Sequence, residues 1–241
     1  LWFLRFARLC NEKDMLKGGK AIHPLLDSSM KLWKELIHKE KLDCEWKDKG
    51  LLYAYASKNK FEAYTATDEL LTKHFDEPAT RYEGDALLEL EPALKPGLAG
   101  GWHYEGDAHL RSDLLMASWK KNLEEKGVEI HENCALTGLL ENHDGSVTIS
   151  ATSNIFEGSH LVIATGALTP KLSEELGWRA PIEPGKGYSI TMPRPESCPE
   201  IPVIFPETRV AATPFESGYR LGSTMEFAGY DESLDPKRYG L

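Results

Sequence analysis

Long apolar runs are absent from this 241-residue chain. No segment reaches the ~18 apolar residues that a membrane-spanning helix needs. Cysteine is scarce, and no Cys-x-x-Cys spacing occurs, which argues against a zinc site and against a disulfide framework. The sequence therefore favours reduced thiols and a cytoplasmic location. The four cysteines are Cys10, Cys44, Cys134 and Cys198.

An excess of basic charge is also missing. Lys and Arg number 28 against 38 Asp and Glu, so the net charge is −10. Broad binding to nucleic acid needs a basic stripe facing the phosphates, and this composition argues against it. The hydrophobic fraction of 41% and the charged fraction of 27% are typical of a globular protein with one large domain or two small ones.

The first nine residues are mostly apolar but include Arg5 and Arg8, and no small-residue cleavage site follows them. This pattern predicts a helix whose apolar face packs against a neighbour, rather than a signal peptide. Peripheral association with a membrane stays open.

Helical periodicity is clearest around Leu26, Met30, Trp33 and Ile37, which fall on one face of a helix. Ser112 is expected to cap another helix, which Gly127 would end. The predicted helices cover residues 23–41, 60–75, 86–92 and 112–126.

Strands are predicted around glycines and in short apolar runs. Gly50 is expected to close a hairpin between residues 44–47 and 51–56, since glycine readily adopts a positive φ. Residues 99–107, rich in glycine and aromatics, are expected to be irregular, and residues 154–158 to form a turn-containing link. Further strands are predicted at residues 128–131, 137–140, 147–151 and 161–164, the last of them buried. After Pro181, runs at residues 188–192, 203–205, 210–213 and 219–225 are predicted to form an antiparallel sheet with residues 51–56.

Two motifs stand out in the second half of the chain. Ala-Thr-Gly-Ala at residues 164–167 ends the predicted buried strand, and Pro-Gly-Lys-Gly-Tyr follows at residues 184–188. Together they resemble the FAD-dependent D-amino-acid oxidase and dehydrogenase superfamily, and within it the small subunits of D-amino-acid dehydrogenases. The resemblance implies an α+β fold that joins part of a Rossmann-like flavin domain to an antiparallel-sheet substrate-binding domain with flanking helices. It assigns residues 1–98 and 181–241 to the substrate-binding domain and residues 99–180 to the partial FAD-binding domain.

The Gly-x-Gly-x-x-Gly turn of that superfamily, which holds the pyrophosphate at a helix N-terminus, is missing from the chain. Asp235-Pro236 is a typical helix start, yet only five residues follow it. The sequence thus predicts an internal piece of a longer flavoprotein, which by itself would hold no stable FAD and be inactive.

The resemblance also implies which residues contact the cofactor. Small residues at the end of the predicted strand would let the backbone approach FAD, and Leu136 would contact the adenine. Gly106 and Asp107 would lie in a loop beside the flavin, and Lys186 is interpreted either as a flavin neighbour or as an exposed turn lysine. The predicted cofactor-binding residues are Leu136, Ala164, Thr165, Gly166, Gly106, Asp107 and Lys186.

Substrate contacts are predicted from arginines, tyrosines and histidines. A guanidinium can hold an amino-acid carboxylate through two hydrogen bonds, although a surface arginine in a strand looks the same in sequence. The tyrosines could line a cavity or belong to the core, and the histidines could bind substrate or hold their loop. A metal site at His103, Asp107 and His109 is disfavoured for lack of further ligands. The predicted substrate-binding residues are Tyr53, Tyr55, His103, His109, Arg111, Tyr188 and Arg220, with Arg209 as a further candidate.

The reaction that the resemblance implies is oxidation of an amino acid, most readily a D-amino acid, to an imino acid that water converts to a 2-oxo acid and ammonia. The electron acceptor stays open between oxygen, a quinone and a partner subunit. The alternatives are an oxidoreductase of the glycine, sarcosine or 2-hydroxy-acid type, and a non-catalytic substrate-binding or interaction domain.

Overall fold

A computed structural model describes residues 2–236 of the chain. These residues form two compact units. Unit 1 comprises the described residues of Leu1–Leu123, Gly187–Met225 and Leu234–Leu241, and unit 2 comprises Glu124–Lys186 and Glu226–Ser233. Residues 99–123, assigned above to the FAD-binding part, lie in unit 1. A strand of this segment pairs in the large sheet described below, and its helix packs Trp119 against Trp33.

The helices lie mainly in unit 1. A 3-10 helix at Gly166–Leu172 directly precedes the last of them. The α-helices are α1 (Trp2–Leu9), α2 (Glu12–Glu40), α3 (Lys58–Ala63), α4 (Thr65–Phe75), α5 (Gly84–Leu90), α6 (Ser112–Glu125) and α7 (Ser173–Leu176).

The strands form one sheet in each unit. They are β1 (Leu51–Tyr55), β2 (Thr80–Tyr82), β3 (Gly100–Tyr104), β4 (Leu136–Glu141), β5 (Val147–Ala151), β6 (Ile155–Gly158), β7 (Lys186–Met192), β8 (Val203–Phe205), β9 (Val210–Pro214) and β10 (Tyr219–Glu226).

Helix α2 is longer than its periodicity predicts, because it begins eleven positions before residue 23. Asn11 caps it by accepting a hydrogen bond from the Asp14 N–H at 3.0 Å. Pro24 lies within the helix. Because proline usually marks a helix boundary, the predicted start at residue 23 was too late. The helix predicted over residues 60–75 is present but divided into α3 and α4 at Tyr64.

The sheet of unit 1 has the strand order β2-β3-β1-β8-β9-β10-β7. The predicted strands β1, β7, β8, β9 and β10 are confirmed as members of one sheet. The prediction that this sheet is antiparallel was wrong in one respect, since β1 runs parallel to β8, with Leu52 opposite Val203. A parallel pair needs a long connection, and the chain between these two strands provides it.

One face of this sheet carries an apolar core. Leu52 and Val203 are both fully buried, and Ala212 is 2% exposed. Leu87 of α5 covers them and is 1% exposed. The helix α5 therefore holds one face of the sheet and leaves the other face for different partners.

The prediction that residues 99–107 are irregular was wrong for β3, which lies between β2 and β1. Two glycines in this strand allow close packing. A Cβ at Gly100 would lie 2.4 Å from the Phe61 ring, and one at Gly101 would lie 2.9 Å from side-chain atoms of Leu52 and Leu87. The glycines here make room for neighbouring side chains rather than breaking the strand.

The predicted hairpin around Gly50 was also wrong, although Gly50 does have a positive φ of 82°. Residues 44–47 do not pair with β1. Lys47 instead forms an isolated antiparallel bridge to His109, with N–O distances of 2.9 and 2.8 Å. Gly50 turns the chain into β1 beside His103 and Tyr104, whose atoms would clash with a Cβ at 2.3 and 2.6 Å.

Unit 2 contains a three-stranded antiparallel sheet of order β4-β5-β6. The strands predicted at residues 137–140 and 147–151 are confirmed, and residues 155–158, predicted as a link, form the third strand. Residues 128–131, predicted as a strand, are not in a strand.

The buried strand predicted at residues 161–164 is absent as well. Leu161 is 36% exposed and Val162 is 86% exposed. A strand needs a neighbour for its N–H and C=O groups, and none of the three strands of unit 2 pairs with this run. Pro236 is helical, as predicted, and the rest of the helix predicted to start there lies outside the described residues.

Candidate functional site

Aromatic side chains cluster on the sheet face opposite the α5 core. The Tyr53 ring stacks on Tyr64 at a centroid distance of 5.7 Å and meets Tyr104 edge-on at 5.8 Å. The hydroxyls of Tyr64 and Tyr104 share a hydrogen bond of 2.8 Å. Burial raises the pKa of all three phenols, so the cluster is neutral at physiological pH.

Tyr55 lies deeper in this layer. Its ring is 5% exposed and packs against Phe61 and Tyr64. Burial raises the pKa of Tyr55 to about 12. These surroundings are those of a core residue that supports the cluster.

Arg220 lies on the same sheet face. Tyr53 is opposite Ile204, Ile204 is opposite Ala211, and Ala211 is opposite Gly222. Since alternate residues of a strand share a face, Arg220 projects on the side of Tyr53.

The guanidinium of Arg220 is little used within the protein. Its Nε donates to Thr191 Oγ1 at 2.8 Å, and the group lies 5.5 Å from the Phe215 ring centroid. No carboxylate of the described residues forms an ion pair with it. Arg220 can therefore offer donors to an anionic group on this face.

A cavity of about 460 Å³ opens beside this face, at the ends of β7, β9 and β10. Ala211 and Gly222 contribute little bulk to its lining, and the buried Thr224 hydroxyl has no hydrogen-bond partner within the described residues. Tyr188 and Arg209 also line it. The Tyr188 hydroxyl accepts a hydrogen bond from the Asp235 N–H at 3.2 Å.

Arg111, unlike Arg220, is fully engaged. Its Nε donates to Asp113 at 3.0 Å, a second nitrogen of the guanidinium pairs with the same carboxylate, and a third donates to Ser217. Glu45 lies 3.9 Å from the guanidinium. These contacts tie the start of α6 to the β9–β10 turn and leave Arg111 few donors for a ligand.

His103 is 7% exposed and holds a turn. Its Nε2 lies 2.9 Å from the Lys49 carbonyl, which can only accept, so Nε2 carries the hydrogen. In the register of the sheet His103 is opposite Leu52, on the α5 side and away from Tyr53. The sequence prediction thus places His103 and Arg220 together in one site, whereas the structure puts them on opposite faces.

Asp107 and His109 follow β3 in the loop that leads to α6. Asp107 is half-buried, and burial is the main cause that raises the pKa of its carboxyl, with Glu77 adding to the effect and His103 opposing it. Burial lowers the pKa of His109, and its Nδ1 is buried without a hydrogen-bond partner among the described residues. Gly106 has open space where a Cβ would lie.

The other predicted cofactor residues lie in unit 2. Leu136 is 39% exposed in β4. Ala164, Thr165 and Gly166 are exposed, Gly166 has a φ of 52°, and the Thr165 hydroxyl is 3.0 Å from that of Thr169.

Comparison with known proteins decides the family. Residues 6–240 match the protein family described as FAD dependent oxidoreductase. The chain belongs to this family. The α+β fold and the relationship to flavin-dependent amino-acid oxidoreductases that the sequence predicts are therefore confirmed.

Two sets of relatives illustrate the membership in the FAD dependent oxidoreductase family. A D-amino acid dehydrogenase of Neisseria meningitidis is 26% identical over 98% of this chain, and one of Neisseria gonorrhoeae is 25% identical over 98%. The chain spans 58% of the length of each. Glycine oxidase from Geobacillus kaustophilus has a TM-score of 0.79 at 20% identity, covering 89% of this chain and 59% of that one, and L-proline dehydrogenase from P. horikoshii has a TM-score of 0.69 at 18%, covering 88% and 58%.

FAD is the cofactor that the family description names, and residues of unit 2 can be compared with what it requires. A Cβ at Gly166 would meet nothing within 4 Å, so the backbone there is open to a flat ligand. Lys186 is committed elsewhere, since its Nζ donates to the carbonyls of Asp231 and Ser233 at 3.1 and 2.5 Å and lies 3.4 Å from a Glu226 carboxylate oxygen. Residues 164–166 thus leave their backbone accessible, while Lys186 ties unit 2 together.

Sequence reasoning missed Tyr64 and Tyr104, which complete the aromatic cluster. The alternation of Trp102 and Tyr104 would have indicated a strand if the neighbouring glycines had not suggested a loop. Within residues 2–236 no group of three His, Cys, Asp or Glu side chains could hold a metal ion. Among the helices of these residues, none has the length and apolar character to cross a bilayer.

Proposed function

We propose that this chain is part of a flavoenzyme that oxidises the CH–NH2 group of a D-amino acid to a 2-oxo acid and ammonia. The observation that carries this proposal is the alignment with D-amino acid dehydrogenases over 98% of the chain. The likeness to glycine oxidase, at 20% identity, concerns the fold alone and does not support a second proposal.

Arg220 binds the substrate carboxylate in this proposal. Its uncommitted guanidinium can form two charge-assisted hydrogen bonds to a carboxylate, which fixes the direction of the Cα–H bond. Tyr53, Tyr64 and Tyr104 form the apolar wall that excludes water and accepts the substrate side chain. Tyr188 lines the cavity beside this face.

Within unit 2, the backbone of Ala164, Thr165 and Gly166 would hold one edge of FAD, and Leu136 would be a further contact. The chemistry that bound FAD supplies is acceptance of the hydride from Cα. A neutral amine leaves no proton for a side chain to remove before this transfer, so no dedicated base is needed. The residues of the chain orient the substrate and keep water away until the imino acid has formed.

We also propose which parts of the chain bind FAD and which bind substrate, and that the chain is a piece of a longer protein. Residues 99–180 contribute to FAD binding, and residues 1–98 and 181–241 to substrate binding. The residues that bind the pyrophosphate lie outside these 241, because the chain has no Gly-x-Gly-x-x-Gly turn and spans 58% of the length of its relatives. The 241 residues alone therefore bind no stable FAD.

Absorbance between 350 and about 500 nm, the range of flavin bands, tests the proposal. The 241-residue chain and a form extended to the length of the relatives are each mixed with FAD and passed over a desalting column. Flavin is expected to stay with the longer form alone, and D-amino acids, but not their L-enantiomers, should bleach it anaerobically. A longer form that folds and elutes without flavin would overturn the proposal.

A further inference from the structure

A second cavity lies in unit 1, with a volume of about 210 Å³. At ~30 Å³ per water it has room for about seven water molecules, so it suits a small solute rather than a flavin. Its lining is unusually rich in charge. The lining residues are Lys47, Lys49, His109, Arg194, Glu200, Pro214, Phe215 and Glu216.

The cations around this cavity outnumber the carboxylates by three to two. Glu200 is shared between Lys49 at 2.8 Å and Arg194 at 2.5 Å, and Lys47 pairs with Glu216 at 2.5 Å. Because one carboxylate serves two cations, the lining has a net positive charge of one with His109 neutral. An anion is the solute that this charge favours.

Arg194 is fixed rather than mobile. Its Nη1 donates to the Phe215 carbonyl at 2.7 Å, in addition to its contact with Glu200. Lys47 and Lys49, by contrast, hold single carboxylates through flexible side chains that are 40% and 46% exposed. They can turn toward a bound anion with little cost in packing.

His109 forms one wall of the cavity. Its backbone is pinned by the bridge to Lys47, and the ring lies 6.3 Å from the Phe215 ring. The Nδ1 atom is buried and lacks a partner among the described residues. The ring also makes a hydrogen bond to the Pro214 backbone, which can only accept, so the one N–H of the neutral ring is used there. His109 therefore shapes the wall of the cavity and does not donate to an anion.

We propose that this cavity is a binding site for a small oxyanion, held by Lys47, Lys49 and Arg194, with the His109 ring as one wall. None of its lining residues lines the 460 Å³ cavity on the sheet face, so the site is separate from the one proposed for the amino acid. The proposal does not depend on the proposed function. Phosphate and a short carboxylate such as pyruvate share the required chemistry.

Isothermal titration calorimetry of the 241-residue chain tests the site, with sodium phosphate in one arm and sodium pyruvate in the other. Binding in either arm is expected and identifies the class of anion. Lys49→Gln should weaken binding about tenfold, since a charge-assisted hydrogen bond contributes about 1.5 kcal/mol. Lys49→Arg should retain most of the affinity.

Lys31→Gln is the matched control, because it removes a lysine that is ion-paired at 2.9 Å on α2. Far-UV circular dichroism confirms that each variant is folded. If Lys49→Gln does not fold, the unmodified chain is titrated with the same anion at fixed pH. A change in the chemical shift of the His109 ring then shows whether the anion binds in this cavity. No heat in either arm, an equal loss in Lys31→Gln, or an unmoved His109 signal overturns the proposal.

Discussion

Asp107 is half-buried, and no donor among residues 2–236 bonds its carboxylate, so the ionised form is costly. Its folded-state pKa is raised above 3.8, the ordinary value, chiefly by burial. The group therefore contributes stability below pH 3.8, and this contribution is lost as the pH rises through the folded-state pKa. At neutral pH the ionised Asp107 destabilises the folded chain.

Asp107→Asn is accordingly expected to raise the Tm at pH 7 by up to about 3 °C, and the gain should shrink as the pH falls toward 4. Thermal melts between pH 4 and 7 measure it. Asp113→Asn is a control with the opposite trend, because Arg111 lowers the pKa of Asp113 to about 2. A gain for Asp107→Asn that does not change with pH would contradict this account.

Arg220→Gln tests the guanidinium proposed to hold the substrate carboxylate. In a form that retains FAD, we expect KM to rise at least tenfold, since ~1.5 kcal/mol or more is lost with a charged hydrogen bond. The KM of Arg220→Lys should lie between those of the unmodified protein and Arg220→Gln. Steady-state kinetics with a D-amino acid measure the effect, and Arg179→Gln, an exposed arginine of unit 2, is the control. An unchanged KM would remove Arg220 from the site.

At the scale of single elements, β3 depends on the missing side chain of Gly100. The Phe61 ring, fully buried, occupies the space that a Cβ would need at 2.4 Å. Gly100→Ala is expected to cost about 1–3 kcal/mol through overpacking. Gly187→Ala in β7 is the matched control, since nothing lies within 4 Å of its Cβ position and the change should be near neutral. Urea unfolding of both variants distinguishes the two, and equal stabilities would show that Phe61 can move freely.

Elements whose signal is local could be predicted from the sequence. Ser112 begins α6 as expected, and β7 to β10 lie where short β-rich runs are separated by Pro and Gly. Arg220 could be named as a candidate because it lies in such a run, but its freedom from acidic partners depends on the fold.

Features decided by distant partners could not be predicted. The glycines of β3 have the composition of a loop, and only the fold shows that Phe61 and Leu52 pack against them. Residues 161–164 have the composition of a buried strand, yet a strand forms only beside another strand. The parallel pairing of β1 with β8 likewise has no local signal, since it joins segments far apart in the sequence.

At the scale of the whole molecule, unit 2 exposes several large apolar side chains. Val162 is 86% exposed, Trp178 is 56%, Leu168 is 52% and Ile182 is 43%. Apolar surface of this extent favours association or dye binding.

The 241-residue chain is therefore expected to bind the dye ANS, and Val162→Asp should lower its fluorescence without lowering the Tm. Met116→Asp in α6, where Met116 is 62% exposed, is the control and should change the fluorescence less. Equal fluorescence of all three proteins would mean that the dye binds elsewhere.

The parallel pair of β1 and β8 also governs how the chain can fold during synthesis. Leu52 pairs with Val203, and the nearby Lys49–Glu200 contact joins residues 151 positions apart. The large sheet therefore stays open until the ribosome has made β8, whereas the short hairpins of β4, β5 and β6 can close as soon as they emerge. The small sheet can thus be complete on the nascent chain before the large one, and β1, although made earlier and able to pair with β3, stays unpaired on its β8 side until a partner about 150 residues later has been made.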